Sequence, residues 1–170
     1  MSLGDERIEA STVLWAAGVA ASPAARWLGL ELDRAGRIPV AADLSVPGLD
    51  GVYAIGDVAL TLGEHGRPLP GLAQVANQQG LWLGRALARN LSDGSPLGAF
   101  RFHSRGDTAV IGRHAAVFDF GKVRFTGRIA WLLWSLVHVY LLVGFGNRLL
   151  VVNQWIWSYL TRERGARLIE

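Results

Sequence analysis

The chain has 170 residues, enough for one ordinary domain or one domain with a small appendage. An apolar fraction of 51% against a charged fraction of 18% excludes disorder, because such a chain can bury enough apolar area to offset its chain entropy. It has no cysteine, which excludes disulfides, thiol catalysis, zinc ribbons and iron–sulfur clusters. The net charge of +3 is unevenly spread. Residues 121–170 carry seven basic and two acidic groups, a balance of +5, whereas residues 1–120 carry ten basic and twelve acidic groups. Four of the seven tryptophans, Trp131, Trp134, Trp155 and Trp157, share that basic third. Basic, Trp-rich and apolar sequence points to an anionic membrane surface and away from nucleic acid, whose readers interleave basic residues with polar ones.

Met1–Ala10 is polar and acidic and does not read as a signal peptide. Ile8–Trp15 predicts a strand stopping at Ala16-Ala17-Gly18. Ser22-Pro23 predicts an N-cap with proline at the first helical position, and a short helix to about Leu28. Leu32–Ile38 reads as a hairpin with Gly36 in its turn. Pro47–Gly51 is loop, Val52–Ile55 a short buried strand ending at Gly56-Asp57, and Leu60–Pro70 a second loop. Gly71–Asn90 has near-helical spacing of Leu72, Val75, Ala76, Leu83, Ala86 and Leu87. A break from Asn90 to Gly98 sets the expected boundary between residues 1–98 and 99–170. Phe100–Phe102 and Asp107–Phe125 predict short strands with turns at Gly112 and Gly121. Two apolar helical runs follow, 129–143 and 149–160, divided by Gly144-Phe145-Gly146-Asn147.

The chain contains neither a G-x-G-x-x-G turn nor a P-loop, so by itself it offers no site for a dinucleotide's phosphates. His65, His103, His114 and His138 are scattered without metal-ligand spacing, which predicts no metal site; His138, inside an apolar run, reads as interfacial or internally bonded. No G-x-S-x-G nucleophile turn occurs. The strongest local motif is Val52-Tyr53-Ala54-Ile55-Gly56-Asp57. Glycine there lets backbone approach a ligand, and a carboxylate at the end of a strand can accept a bond from a ligand hydroxyl; a plain turn or helix N-cap is the other reading. Gln74 and Gln78 lie at i and i+4 and share a helix face, either a solvated face or a pair of neutral amides for a ligand carbonyl.

Taken in order, Trp15-Ala16-Ala17-Gly18, Gly51–Asp57 and Leu69–Gly80 resemble the FAD-dependent pyridine nucleotide oxidoreductases. Ala73-Gln74-x-Ala76-x-Gln78 is similar to the quinone-site motif of the type II NADH:quinone oxidoreductases, and Arg128–Leu168 resembles their membrane anchor. The resemblance implies an α/β fold: the C-terminal part of a two-dinucleotide-binding-domain flavoprotein, with residues 1–98 in the FAD-binding domain. Short antiparallel strands and two amphipathic helices follow. It implies that Asp57 accepts a bond from the FAD ribityl chain and that Gly18 lies where the chain passes the flavin. The Gly56 backbone and the Ala73, Gln74 and Val75 amides would face the cofactor, and Gln74, Ala76 and Gln78 would line a quinone site. It further implies NADH as donor, no metal, a homodimer, and a missing N-terminal part carrying the Gly-rich turns. The alternatives are a non-catalytic membrane-binding or dimerisation module, or another FAD-dependent pyridine nucleotide oxidoreductase. Among these the sulfide:quinone enzymes fit poorly, since they use redox cysteines.

A hydropathy window over the 19 uncharged residues between Arg128 and Arg148 would suggest a spanning helix. The regular apolar part is only 15 residues, about 22 Å long, against roughly 20 residues for a bilayer core. Two short helices with Trp and Arg at their edges instead predict a monotopic anchor lying in the headgroup region, with a buried core or dimer interface as the alternative.

Overall fold

The computed structural model describes residues 2–161 except Trp15, Ala17, Val19 and Val143. It forms two compact units, residues 1–103 and 104–170.

The first unit opens with a two-residue antiparallel pair, β1 (Ser2–Leu3) on β2 (Glu6–Arg7). The strand expected over Ile8–Trp15 does not form across residues 8–14; Val13 and Leu14 stand in solvent. A strand exists only by pairing, and none of the described strands pairs with this segment. Trp15, its last residue, lies outside the described residues, as does Ala17 of the neighbouring motif. Helix α1 (Ala24–Trp27) is a single turn with Pro23 at its N-cap, one position earlier than expected, while the Ser22 hydroxyl accepts from the Ala24 N–H at 3.4 Å.

The turn at Asp33–Arg37 forms as expected: Gly36 has φ +79°, and the Asp33 carboxylate accepts from the Ala35 and Arg37 N–H groups. The strand leaving it is not half of a hairpin. β3 (Ile38–Pro39) pairs in parallel with β4 (Ala59–Leu60), Ile38 opposite Ala59. Burial decides the partner, because Ile38 and Ala59 enter one core with Ala25, Val46 and Ala54. Val52–Ile55 is not a continuous strand either. It makes one antiparallel bridge, Tyr53 to Ser45, flanked by the Val46 N–H to the Val52 carbonyl and the Ala54 N–H to the Leu44 carbonyl. Extended backbone continues only to Ile55, because Gly56–Val58 coils into a 3-10 turn.

Helix α2 (Ala73–Asp93) has 21 residues and runs three past the expected end. Its buried stripe is Val75, Gln79, Leu83 and Ala86, the i, i+4, i+8, i+11 positions of one face. Gly94, in the left-handed region at φ +73°, ends the helix by donating its N–H to the Asn90 carbonyl. Phe100–Phe102 is not a strand. The Phe100 N–H binds the Ala42 carbonyl, and its ring meets Trp82 edge-on.

The second unit is an antiparallel sheet, β5 (Asp107–Gly112), β6 (Ala115–Asp119) and β7 (Arg124–Thr126), in the order β5-β6-β7. Gly121 makes the second turn with φ +79°; the first lies at Arg113-His114, where His114 takes φ +64°. β6 alternates, and its inward residues Ala116 and Phe118 pack with Ala130, Trp131, Leu133 and Trp134 of helix α3 (Gly127–Leu141). Helix α4 is Phe145–Thr161, so Gly146 and Asn147 lie in its first turn rather than in the break, which falls at Leu142–Gly144. The break is closed by the Arg148 guanidinium, which donates from Nε to the Leu142 carbonyl at 2.9 Å. Trp134 stacks on Trp155, and Trp131 lies against Tyr159. Among the described residues, no helix is long and apolar enough to cross a membrane.

Candidate functional site

In the first unit, Gly56-Asp57, β4 and its neighbour Thr61, Leu69-Pro70-Gly71 and the early turns of α2 line a shallow open cleft with Arg37 on its wall. Glycine is needed at Gly56, which has φ +70° and where a Cβ would come within 3.3 Å of the Ala76 Cβ. At Gly71 a Cβ would make ordinary contact with Asp57 Oδ1 at 3.4 Å, which places Asp57 beside the opening of α2. Asp57 is exposed at the cleft. Helix α2 opens after Leu72 with no side-chain cap; the Val75 and Ala76 N–H groups donate back to the Leu72 carbonyl at 2.9 and 3.3 Å, and the helix start carries a partial positive charge. The Arg37 guanidinium does not swing freely: Asp33 accepts its Nε and Nη2 at 2.8 and 2.7 Å. In return, the Arg37 backbone N–H and guanidinium hold the Asp33 carboxyl below the usual carboxylate range.

The cleft thus brings together Gly56, Asp57 and Val75 of the expected site residues. Ala73 opens the helix, and Ala76 is the residue a side chain at Gly56 would press on. Gln74 is half-buried one residue before Val75. Gln78 is engaged elsewhere: its Nε2 donates to the His103 carbonyl at 2.9 Å and its Oε1 accepts the His103 N–H at 3.1 Å. Gly18 is not among the cleft residues; it is exposed, with φ +75° and open space around it. No group of three or more metal-ligating side chains occurs among the described residues.

Three polar residues of the cleft are absent from the expected set: Arg37, Thr61 and Gln79. Gln79 is 1% exposed, with Oε1 accepting the Gly56 N–H at 2.7 Å and Nε2 donating to Thr61 Oγ1 at 2.8 Å. A signal for it exists in the sequence. It sits on the stripe of Val75, Leu83 and Ala86, and an amide on an apolar stripe must find partners.

The second unit carries a different kind of surface. On α3 the stripe of Trp131, Ser135 and His138 is half-buried, while Ile129, Leu132, Leu136 and Tyr140 are all more than 60% exposed. On α4, Phe145, Leu149, Ile156 and Leu160 form a second exposed apolar line. The polar groups of α3 are satisfied within it: the Ser135 hydroxyl donates to the Trp131 carbonyl, and His138 Nδ1 lies 2.9 Å from the Trp134 carbonyl. A carbonyl can only accept, so Nδ1 carries the proton. His138 is internally bonded, one of its two expected states.

Comparison with known families now bears on both units. The family model described as pyridine nucleotide-disulphide oxidoreductase matches residues 1–80, and that described as NDH2 C-terminal domain matches residues 104–163. The chain is 37% identical, over 98% of its length, to the type II NADH:quinone oxidoreductase NdhA of Mycobacterium tuberculosis, and covers 36% of that protein. The chain belongs to the type II NADH:quinone oxidoreductase family. A more distant relative, the internal alternative NAD(P)H-ubiquinone oxidoreductase A1 of Arabidopsis thaliana mitochondria, is 31% identical over 87% of the chain and 32% of that protein. The chain therefore spans about a third of the length of these curated relatives. The structure of NDH2 from Plasmodium falciparum in complex with NADH superposes with a TM-score of 0.51 at 21% identity. The match covers 62% of this chain and 21% of that one, and supports the flavoprotein fold. Within the type II family frame, the Gly56-Asp57 turn and the first two turns of α2, to residue 80, belong to the stretch matched by the oxidoreductase model, and the exposed helix lines to the C-terminal domain.

Proposed function

We propose that this chain supplies the flavin-edge and membrane-surface parts of an enzyme that moves electrons from NADH through FAD to a quinone. The observation that carries the reading is the placing of Asp57 beside Gly71 at the uncapped opening of α2. These residues suit a flavin: Gly56 and Gly71 add no side-chain bulk to the cleft, one wall offers an acceptor carboxylate, and one end offers the partial positive charge of a helix N-terminus. Asp57 would accept from the ribityl chain, the Ala73–Val75 amides would face the flavin's pyrimidine edge, and Gly18 would lie where the chain passes the flavin. Bound FAD would supply the two-electron chemistry; the protein's part is to hold and orient it and to set the charge around it. Residues 1–98 would be the end of the FAD-binding domain. The Gly-rich turns for the dinucleotide phosphates would come from the portion of the relatives that this chain does not span.

Gln74, Ala76 and Gln78 form the proposed quinone face. Each amide atom of Gln78 keeps one further hydrogen-bonding position after its bond to His103, and the two glutamines share a helix face. Residues 99–170 would end in the anchor. Two exposed lines of large apolar side chains, on helices too short and polar to span, support a monotopic association with an anionic membrane surface, compatible with a homodimer.

The test is a chimaera in which this chain replaces the matched third of M. tuberculosis NdhA. The expected product carries bound FAD, reduces a soluble quinone analogue with NADH, and sediments with anionic vesicles. A folded chimaera that retains neither flavin nor quinone reduction, while its vesicle binding persists, would replace this reading with that of a non-catalytic membrane module.

A further inference from the structure

We propose that Gln79 is the positioning residue of this cleft: its buried amide fixes the Asp57 turn against the opening of α2. The inference rests on the flavin reading above and names the residue that holds that site together. Gln79 lies one helical turn after Val75, on the face that α2 buries, where a leucine would continue the apolar stripe. Burying an amide there is unfavourable unless both ends are paired, and both are. Its Oε1 takes the N–H of Gly56, the residue at which extended backbone gives way to the turn carrying Asp57. Its Nε2 reaches Thr61, 6% exposed, just beyond β4. The segment from Gly56 to Thr61 is thus tied at both ends to a single side chain, with Asp57 between the two ties. A Cβ at Gly56 would come within 3.3 Å of the Ala76 Cβ on the same helix, so glycine leaves room for the turn to sit where the Gln79 hydrogen bond holds it. Asp57 itself makes no part of the clamp; it is free to face a ligand because its neighbours are held.

A glutamate in place of this glutamine offers a direct probe. Protonated, it presents one acceptor and one donor, as glutamine does; ionised, it can only accept. The charged side chains that line the same cleft are Asp57, which opposes ionisation of the introduced carboxyl, and Arg37, which favours it while paired with Asp33. Gln79→Leu, Gln79→Glu and Asp57→Ala are compared in the FAD-loaded chimaera by flavin titration across about pH 5 to 8, a range that brackets a buried glutamate's raised pKa. Amide exchange at Gly56 is followed in the 170-residue chain. Gln79→Leu should raise the FAD dissociation constant at least tenfold and expose the Gly56 amide to faster exchange. Gln79→Glu should bind FAD like wild type at the acid end and progressively more weakly toward the alkaline end, while wild type stays flat. If Asp57→Ala weakens FAD binding and Gln79→Leu does not, the positioning role falls and the flavin reading stands. If neither weakens it, the flavin reading falls with it. Should Gln79→Leu fail to fold, the pH series decides: a folded Gln79→Glu protein whose FAD affinity does not change with pH overturns the proposal.

Discussion

The two units handle polar and apolar groups in opposite ways. In the first, an apolar cluster around Ala25, Ile38, Val46, Ala54 and Ala59 is closed off, and the outer face of α2 shows Arg85 and Arg89 to solvent. In the second, Ala116, Phe118 and Ala130 are the core, and beyond them α3 and α4 turn Leu132, Leu136, Ile156 and Leu160 outward. Exposed large apolar side chains occur in both units, Leu14, Leu81 and Leu91 among them in the first, but they are concentrated on α3 and α4 of the second. A contiguous exposed apolar face of this kind is what an interaction surface looks like, which is why the proposed anchor is sought there.

That contrast can be broken in graded steps. The largest effect should come from Leu132→Asp with Leu136→Asp. Each removes about 1.5–3 kcal/mol of apolar insertion, so the pair should lower anionic-vesicle affinity roughly a hundredfold or more in a sedimentation assay. FAD binding should be untouched. Loss of a dimer by size-exclusion, with no vesicle binding even in wild type, would assign this face to a subunit interface instead. Next is Asp57→Ala, which should weaken FAD by roughly 1.5–3 kcal/mol, the scale of a hydrogen bond to a charged group, and leave vesicle binding unchanged. Gly56→Ala should cost about 1–2 kcal/mol of first-unit stability in urea titration, since alanine must adopt φ +70° and press on Ala76. Gln74→Ala should raise the apparent quinone KM by the worth of one neutral hydrogen bond, about 0.5–1.5 kcal/mol, with NADH-driven flavin reduction near normal. Equal damage to both half-reactions would make this helix face purely structural. Smallest is Arg128→Gln, which should cost roughly 1 kcal/mol or less toward anionic vesicles. Its effect should vanish in high salt, where the apolar part of binding persists.

What could be read from the sequence follows the range of the forces involved. Helix α2, the β5–β7 meander and the pair α3–α4 were legible because their signals are local: 3.6-residue spacing and glycine at turns. The turn at Asp33–Arg37 was legible for the same reason, but the parallel partner of Ile38 was not, since Ala59 lies 21 residues on and only burial selects it. Ile8–Trp15 has strand composition, yet composition does not provide a neighbouring strand, and residues 8–14 form none. In the cleft, the Gly56-Asp57 motif and the start of α2 were readable as a pair only through the family resemblance. The role of Gln79 has no such local signal: Gln74 and Gln78 share the i, i+4 spacing, whereas the role of the third glutamine depends on Gly56 and Thr61, which lie 23 and 18 residues away.

The two back-bonded side chains of α3 have one further consequence. Ser135 and His138 each close onto a carbonyl four residues earlier in their own helix, so neither depends on water or on a neighbouring element for that bond. Moving α3 from an aqueous to an oily setting therefore leaves these hydrogen bonds intact, and the polar residues add little to the cost of dehydration. The helix should keep its far-ultraviolet signature from buffer into detergent or lipid. Its attachment would then be a change of surroundings with little refolding, and reversible on the timescale of diffusion.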